Sequence, residues 1–149
     1  MHIALMEPEI GPNTGNIGRL CLGIGASLHL IHPLGFQTDD KAVRRAGLDY
    51  WKHVDVTEHL SLDLFWEWAG TRPIHLFSTK ATRPYSQTPW TRGDVLLFGP
   101  ESRGLPEALI ADRGAWTIPM TGAIRSLNLA NAVAVVSYGA LQHLEPQRF

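Results

Sequence analysis

The sequence predicts an α/β domain, with a mostly parallel sheet flanked by helices. Two observations lead there. Short apolar runs at 2–6, 27–31, 74–78, 94–98 and 115–118 have the length and composition of buried strands. Between them lie segments whose apolar residues recur at helical spacing, as Ile17, Leu20, Cys21 and Ile24 do. Strands that alternate with helices at these intervals need crossover connections, and crossovers make neighbouring strands parallel. A chain of 149 residues, 44% hydrophobic and 18% charged, fits one domain over 1–149 with a sizeable core.

His2 to Met6 is the first strand, and the EPEIGPNTGNIGR that follows has the Pro, Asn and Gly density of a loop entering a helix. Asn13 or Thr14 is the expected cap of that helix. Cys21 falls on its apolar face, the place of a buried thiol and not of a nucleophile. Gly15, Gly18, Gly23 and Gly25 crowd the same helix. Glycine costs about 1 kcal/mol at an interior helical position, so these residues point to close approach by a ligand or another backbone. Ser27 to Ile31 is the second strand, ending at His32-Pro33. Asp40 then caps a short helix carrying Lys41, Arg44 and Arg45, the densest basic cluster of the chain. The segment DDKAVRRAGLDYWK adds Lys52 and the Tyr50-Trp51 pair, joining cations for phosphates to aromatics that can stack on bases. A brief strand is expected from His53 to Val56. Leu62, Phe65, Trp66 and Ala69 mark an amphipathic helix that Gly70 ends.

Ile74 to Ser78 is the third clear strand. The connector TKATRPYSQTPWTR after it has the length of a mobile surface loop, and its Lys80, Arg83, Tyr85, Trp90 and Arg92 suit a polyanion. Asp94 to Phe98 is a buried strand running into GPESRGLP, followed by a helix from Leu105 or Pro106 to Asp112 and a last strand from Ala115 to Ile118. Beyond Pro119, a loop holding Gly122 and Arg125 turns into an alanine- and valine-rich helix that Ser126 or Asn128 can cap. Unpaired backbone N–H groups and polar side chains collect there, where a polar ligand can be read.

Several chemistries are excluded. Gly99 and Gly104 are spaced like the glycines of a phosphate-binding P-loop, but Leu105-Pro106 stands where Lys and Ser or Thr are required. No G-x-G-x-x-G follows the first strand, no G-x-S-x-G elbow is present, and no Ser-His-Asp triad announces itself. The seven histidines are scattered, so no metal is expected. One cysteine, Cys21, rules out an internal disulfide framework. No apolar run approaches the roughly 20 residues needed to span a bilayer, and no export signal opens the chain, so a cytoplasmic protein without membrane contact is expected. A net charge of −1 leaves any nucleic-acid partner dependent on a local basic patch.

The loops at 13–19, 99–106 and 118–128 all follow strand ends, and in an α/β sheet such loops converge on one crevice. Their sequences, NTGNIGRL, LLFGPESRGLP and IPMTGAIRSLNLANAVAVVSY, resemble in order and spacing the three motifs of the SPOUT RNA methyltransferases. EPEIGPNTGNIGRLC, DDKAVRRAGLDYW and the short undecorated length are similar to the TrmL type, the tRNA (cytidine/uridine-34) 2′-O-methyltransferases. The resemblance covers essentially the whole chain. It implies a trefoil-knotted fold whose C-terminal segment passes through a loop, an obligate homodimer, and S-adenosylmethionine as methyl donor. It places Phe77, Gly99, Glu101, Gly104, Ile118, Met120, Ser126 and Leu127 around the donor, where an apolar slot with backbone groups at its rim suits a neutral adenine. It makes Arg19 the first catalytic candidate, with Asn13, Glu101, Ser126 and Asn128 positioning the ribose or phosphate, and Lys41, Arg44 and Arg45 holding RNA. The implied reaction is methylation of the ribose 2′-hydroxyl of the wobble nucleotide in a tRNA anticodon stem-loop. The alternatives are an enzyme of the same family acting on ribosomal RNA and a non-catalytic RNA-binding module of the same fold. Two departures stand out: TGAIRS lacks the Pro-Asp of close relatives, and Gly18 stands where a larger aliphatic residue is usual.

Overall fold

In the computed structural model, which describes residues 1–38 and 48–148, strand β1 (His2–Met6) leads into helix α1 (Gly11–Ile24) and strand β2 (Ser27–Ile31). A 3-10 helix at Leu48–His53 precedes β3 (Val56–His59), α2 (Leu62–Ala69) and β4 (Ile74–Phe77). The rest of the chain supplies β5 (Arg83–Pro84), β6 (Val95–Phe98), α3 (Glu107–Arg113), β7 (Trp116–Thr117) and α4 (Leu129–Leu144). The strands form one sheet in the order β3-β2-β1-β6-β4-β7-β5, with parallel pairing throughout. Strand β7 lies between β4 and β5, which precede it in the chain. That order is consistent with the threaded C-terminal path that the resemblance implies.

Both faces of the central strands are covered, which is why they read as unbroken apolar runs. Ile3, Leu5, Leu28, Leu96 and Phe98 face Ile17 and Cys21 of α1 and Val133, Val136 and Ala140 of α4. Their neighbours Ala4, Met6, Ile31 and Leu97 point the other way, towards Phe65 of α2 and Leu105. Each fully buried Leu, Ile or Phe in these layers contributes about 1.5–3 kcal/mol relative to exposure. No helix among the described residues is long and apolar enough to cross a membrane.

The structure corrects four expectations. Neither Asn13 nor Thr14 caps α1: both are buried inside the helix, and extended Ile10 (φ −114, ψ 106) holds the cap position without a side-chain bond. Pro12 lets the helix start earlier, because in the first turn its missing N–H leaves no donor unpaired. The strand expected at 53–56 lies instead at Val56–His59, because 48–53 coils into the 3-10 helix and Trp51 folds onto α1. The 79–92 connector is no free loop. Trp90 is 7% exposed and stacks on Phe77 at 6.0 Å, while Arg83–Pro84 pairs with β7, so the apolar ring pulls the segment onto the sheet and is not offered to a polyanion. The histidines are not all scattered. His2, His29 and His59 meet on a diagonal across β1, β2 and β3, each two residues along from the next, with Nδ1 of His2 3.1 Å from Nε2 of His29 and Nδ1 of His29 3.0 Å from Nε2 of His59. Asp40, Lys41, Arg44 and Arg45 lie outside the described residues.

The helix glycines have different reasons. Gly25 closes α1 in the left-handed conformation (φ 67, ψ 37), which costs a residue without Cβ nothing. Gly18 admits Trp51, whose Cζ3 would lie 2.6 Å from an added Cβ. Nothing lies within 4 Å of the equivalent point on Gly23.

Candidate active site

The carboxyl ends of β4, β6 and β7 open into a cleft of about 460 Å³. Its floor is apolar. Phe77 and Phe98 end β4 and β6 in register, and their rings stack at 5.1 Å and 21°. One wall is the loop after β6. A Cβ on Gly99 would sit 2.3 Å from the Leu105 nitrogen and 2.4 Å from the Gly104 carbonyl carbon, and backbone at that range cannot move aside. The loop therefore doubles back on itself, Gly104 turning it at φ 68.

Hydrogen bonds tie this wall to the entrance of α1. The Glu101 carboxylate accepts from the backbone N–H groups of Glu9 at 2.8 Å and Ile10 at 3.2 Å, and from Nδ2 of Asn13 at 3.2 Å. The N–H groups of the cap residue Ile10 and of Glu9 just before it, which no helical carbonyl reaches, are satisfied in this way. Glu9 returns the tie, accepting from the N–H of Ser102 at 2.8 Å and from its hydroxyl at 2.7 Å. The Ser102 hydroxyl and N–H, with Arg103 adding its charge, hold the Glu9 carboxyl below the usual carboxylate range. Arg103 also pairs with Glu7.

The opposite wall is the loop from β7 to α4. Of the two caps open to α4, Asn128 takes the position: its Oδ1 accepts from the N–H of Ala130 at 2.9 Å and of Asn131 at 3.4 Å. Its Nδ2 donates to Oδ1 of Asn13 at 3.0 Å. Asn128, Asn13 and Glu101 thus form one chain of donors and acceptors from the first turn of α1 to the two loops, brought together from positions 88 and 115 residues apart.

Phe77, Gly99, Glu101, Gly104, Ile118, Met120, Ser126 and Leu127 all line the cleft, as do Asn13 and Asn128. Arg19 does not. It stands exposed on α1 with its guanidinium 5.3 Å from the centre of the Tyr50 ring. Ile10, Arg103 and Thr117 also line the cleft without any mark in the sequence, and so do Lys80, expected to suit a polyanion, and Arg125, expected only as part of the loop before α4. Arg125 shares the loop of Ser126, and Arg103 adjoins Glu101, so proximity in the chain was the available signal. Lys80 is paired with Glu107 at 3.4 Å. Cys21 lies outside the cleft, and burial pushes its thiol up to about 12, which removes a thiolate from the chemistry. Among the described residues no group of three His, Cys, Asp or Glu side chains is placed to hold a metal ion. What remains is an apolar slot with a backbone-rich, polar rim, suited to a flat heterocycle and a hydroxylated partner.

Known proteins share this architecture. The model of the SpoU rRNA Methylase family matches residues 1–138. The tRNA (cytidine(34)-2'-O)-methyltransferase of Escherichia coli (strain K12) is 47% identical over 148 residues, covering 97% of this chain and 94% of its own. The protein of the same description from Yersinia pestis is 48% identical over 153 residues, with the same coverage of 97% and 94%. A solved structure described as "Structural insights into the 2-OH methylation of C/U34 on tRNA" superposes with a TM-score of 0.94 at 44% identity, covering 97% of this chain and 96% of its own. An AdoMet-bound rRNA methyltransferase from Sinorhizobium meliloti gives 0.86 at 25% identity, covering 96% of this chain but 56% of its own. With a family model spanning nearly all of the sequence and near-full-length relatives close to half identical, the chain belongs to the SpoU methylase family.

Proposed function

We propose that this chain methylates the ribose 2′-hydroxyl of the wobble nucleotide, cytidine or uridine at position 34, in a tRNA anticodon stem-loop, with S-adenosylmethionine as donor. The observation that carries the reading is the cleft itself: an apolar Phe77–Phe98 floor between the doubled-back Gly99–Gly104 loop and the loop that ends at Asn128. Those residues fit the donor. The space a Cβ on Gly99 would fill is taken by backbone, so the rim presents peptide groups to an adenine edge while the rings below exclude water. The full-length relatives described as tRNA (cytidine(34)-2'-O)-methyltransferases support the substrate.

When bound, S-adenosylmethionine would supply an electrophilic methyl on its sulfonium sulfur, and the ribose oxygen that takes it would release its proton to solvent. The chain must hold oxygen, carbon and sulfur in line, and a rim clamped by Glu101, Asn13 and Asn128 does so without reorganising. Glu101 spends its oxygens on Glu9, Ile10 and Asn13, so its part is to hold the rim. Ser126, exposed at the edge of the cleft, offers a hydroxyl to the ribose. Arg19, with its forked guanidinium, stabilises the developing alkoxide or grips the neighbouring phosphate. Since it lies outside its own chain's cleft, it meets the ribose through a second copy. The adjacent helices α1 and α4 support a homodimer, for they leave Leu22 and Val135 exposed and open space over Gly23, and a tRNA substrate fits a cytoplasmic enzyme.

Radiolabelled methyl transfer to bulk tRNA, followed by nucleoside mapping, tests the proposal. The expected product is 2′-O-methylcytidine or 2′-O-methyluridine at position 34. Label appearing only in ribosomal RNA, or none at all despite donor binding, refutes it.

A further inference from the structure

The 3-10 helix at 48–53 splits an aromatic pair that the sequence presents as one unit. Trp51 is spent on the fold. Its indole covers Gly18, with Cζ3 and Cε3 at 2.6 Å and 2.9 Å from where a Cβ would be, and it packs against the core under α1. Tyr50 remains 42% exposed, with the Arg19 guanidinium 5.3 Å from its ring centre and Lys52 exposed beside it. Successive residues of a 3-10 turn point about 120° apart, so anchoring Trp51 also fixes the direction of Tyr50. Two consecutive residues of α1, Gly18 and Arg19, are thus met by two consecutive residues of the turn.

A solvent-facing ring held in place by its neighbour, next to two cations, has what unpaired RNA requires. Bases splayed from a loop stack on aromatic faces and on guanidinium planes, while lysines and arginines meet the phosphates. We infer that Tyr50 is a stacking platform for an unpaired base of the anticodon loop, presented by the Trp51–Gly18 contact and layered with Arg19. The inference rests on the proposed RNA substrate and adds a residue that holds one of the loop's bases. Arg19 joins the two ideas, since the residue proposed to meet the ribose is the one whose guanidinium covers the Tyr50 ring.

Binding of an anticodon stem-loop RNA carrying 2-aminopurine at each loop position in turn, together with steady-state methylation, tests it. Tyr50→Ala should weaken RNA affinity roughly tenfold to a hundredfold. It should also abolish 2-aminopurine quenching at one position, leaving donor affinity and the slope of affinity against salt unchanged. Tyr50→Phe keeps the ring and should rescue both affinity and quenching. An alanine variant that binds RNA within about twofold of wild type, or one whose salt slope falls with its affinity, overturns the platform, since a lower slope means a lost phosphate contact. A wild-type chain that binds the donor but methylates no tRNA overturns the parent reading and this one together, whereas an unaffected Tyr50→Ala in an active enzyme overturns only this one.

Discussion

Asn128 holds two parts of the cleft with one side chain, its oxygen on the start of α4 and its nitrogen on Asn13. Losing a helix cap of this kind costs about 0.5–2 kcal/mol. Asn128→Ala should therefore lower the melting temperature and also raise KM for the donor, because Asn13 loses the partner that orients it towards Glu101. Asn128→Ser, which still caps, should restore stability more than KM. A variant with unchanged melting and unchanged KM removes Asn128 from the account. At this scale the sequence is informative where chemistry is local: glycines and asparagines mark the three loops, and the resemblance of their motifs names the residues that line the cleft. It was silent on which way they point. That Glu101 turns its carboxylate back onto the Glu9 and Ile10 peptide groups depends on contacts more than 90 residues apart, for which no local pattern exists.

Among the elements, the three neighbouring strands β1, β2 and β3 carry a consequence for acid stability. His29 is pushed from the usual 6.5 to about 3, first by burial and then by its histidine neighbours His2 and His59. The amino terminus and Arg72 push His2 the same way after burial, while Asp55 opposes. A histidine whose folded pKa is depressed takes up its proton in the unfolded chain first. Its contribution is complete above about 6.5 and is lost as pH falls towards about 3. Urea midpoints should decline between pH 6.5 and 5, before carboxylates titrate, and His29→Leu should flatten that decline. A wild-type midpoint that stays level across this interval sinks the prediction. Helix and strand types were legible from periodicity, as with Leu62, Phe65, Trp66 and Ala69 on α2. The histidine row was not, because it exists only once parallel register aligns His29 with positions on either side. Trp90 is hidden from the sequence for a related reason: a tryptophan in a proline-flanked connector looks exposed until Phe77 supplies something to cover it.

For the whole molecule, the question is whether the cleft of one chain works with Arg19 of another. Arg19→Ala and Gly99→Ala should each be nearly inactive alone. Co-purified as a mixed population, they should recover about a quarter of wild-type activity, since half of the dimers pair an intact cleft with an intact arginine at one of two sites. A mixture as inactive as its parents places Arg19 in its own chain's cleft. The placement of β7 between β4 and β5 carries a further consequence, one of timing. The strand that fills that slot, and the loop that supplies Met120, Ser126 and Leu127, leave the ribosome after every other part of the sheet. Until then β4 and β5 border a gap, and Phe77 and Phe98 have no roof. A nascent chain therefore carries the floor of a methyl-donor cleft without the cleft, and competence to modify RNA begins only once α4 has emerged.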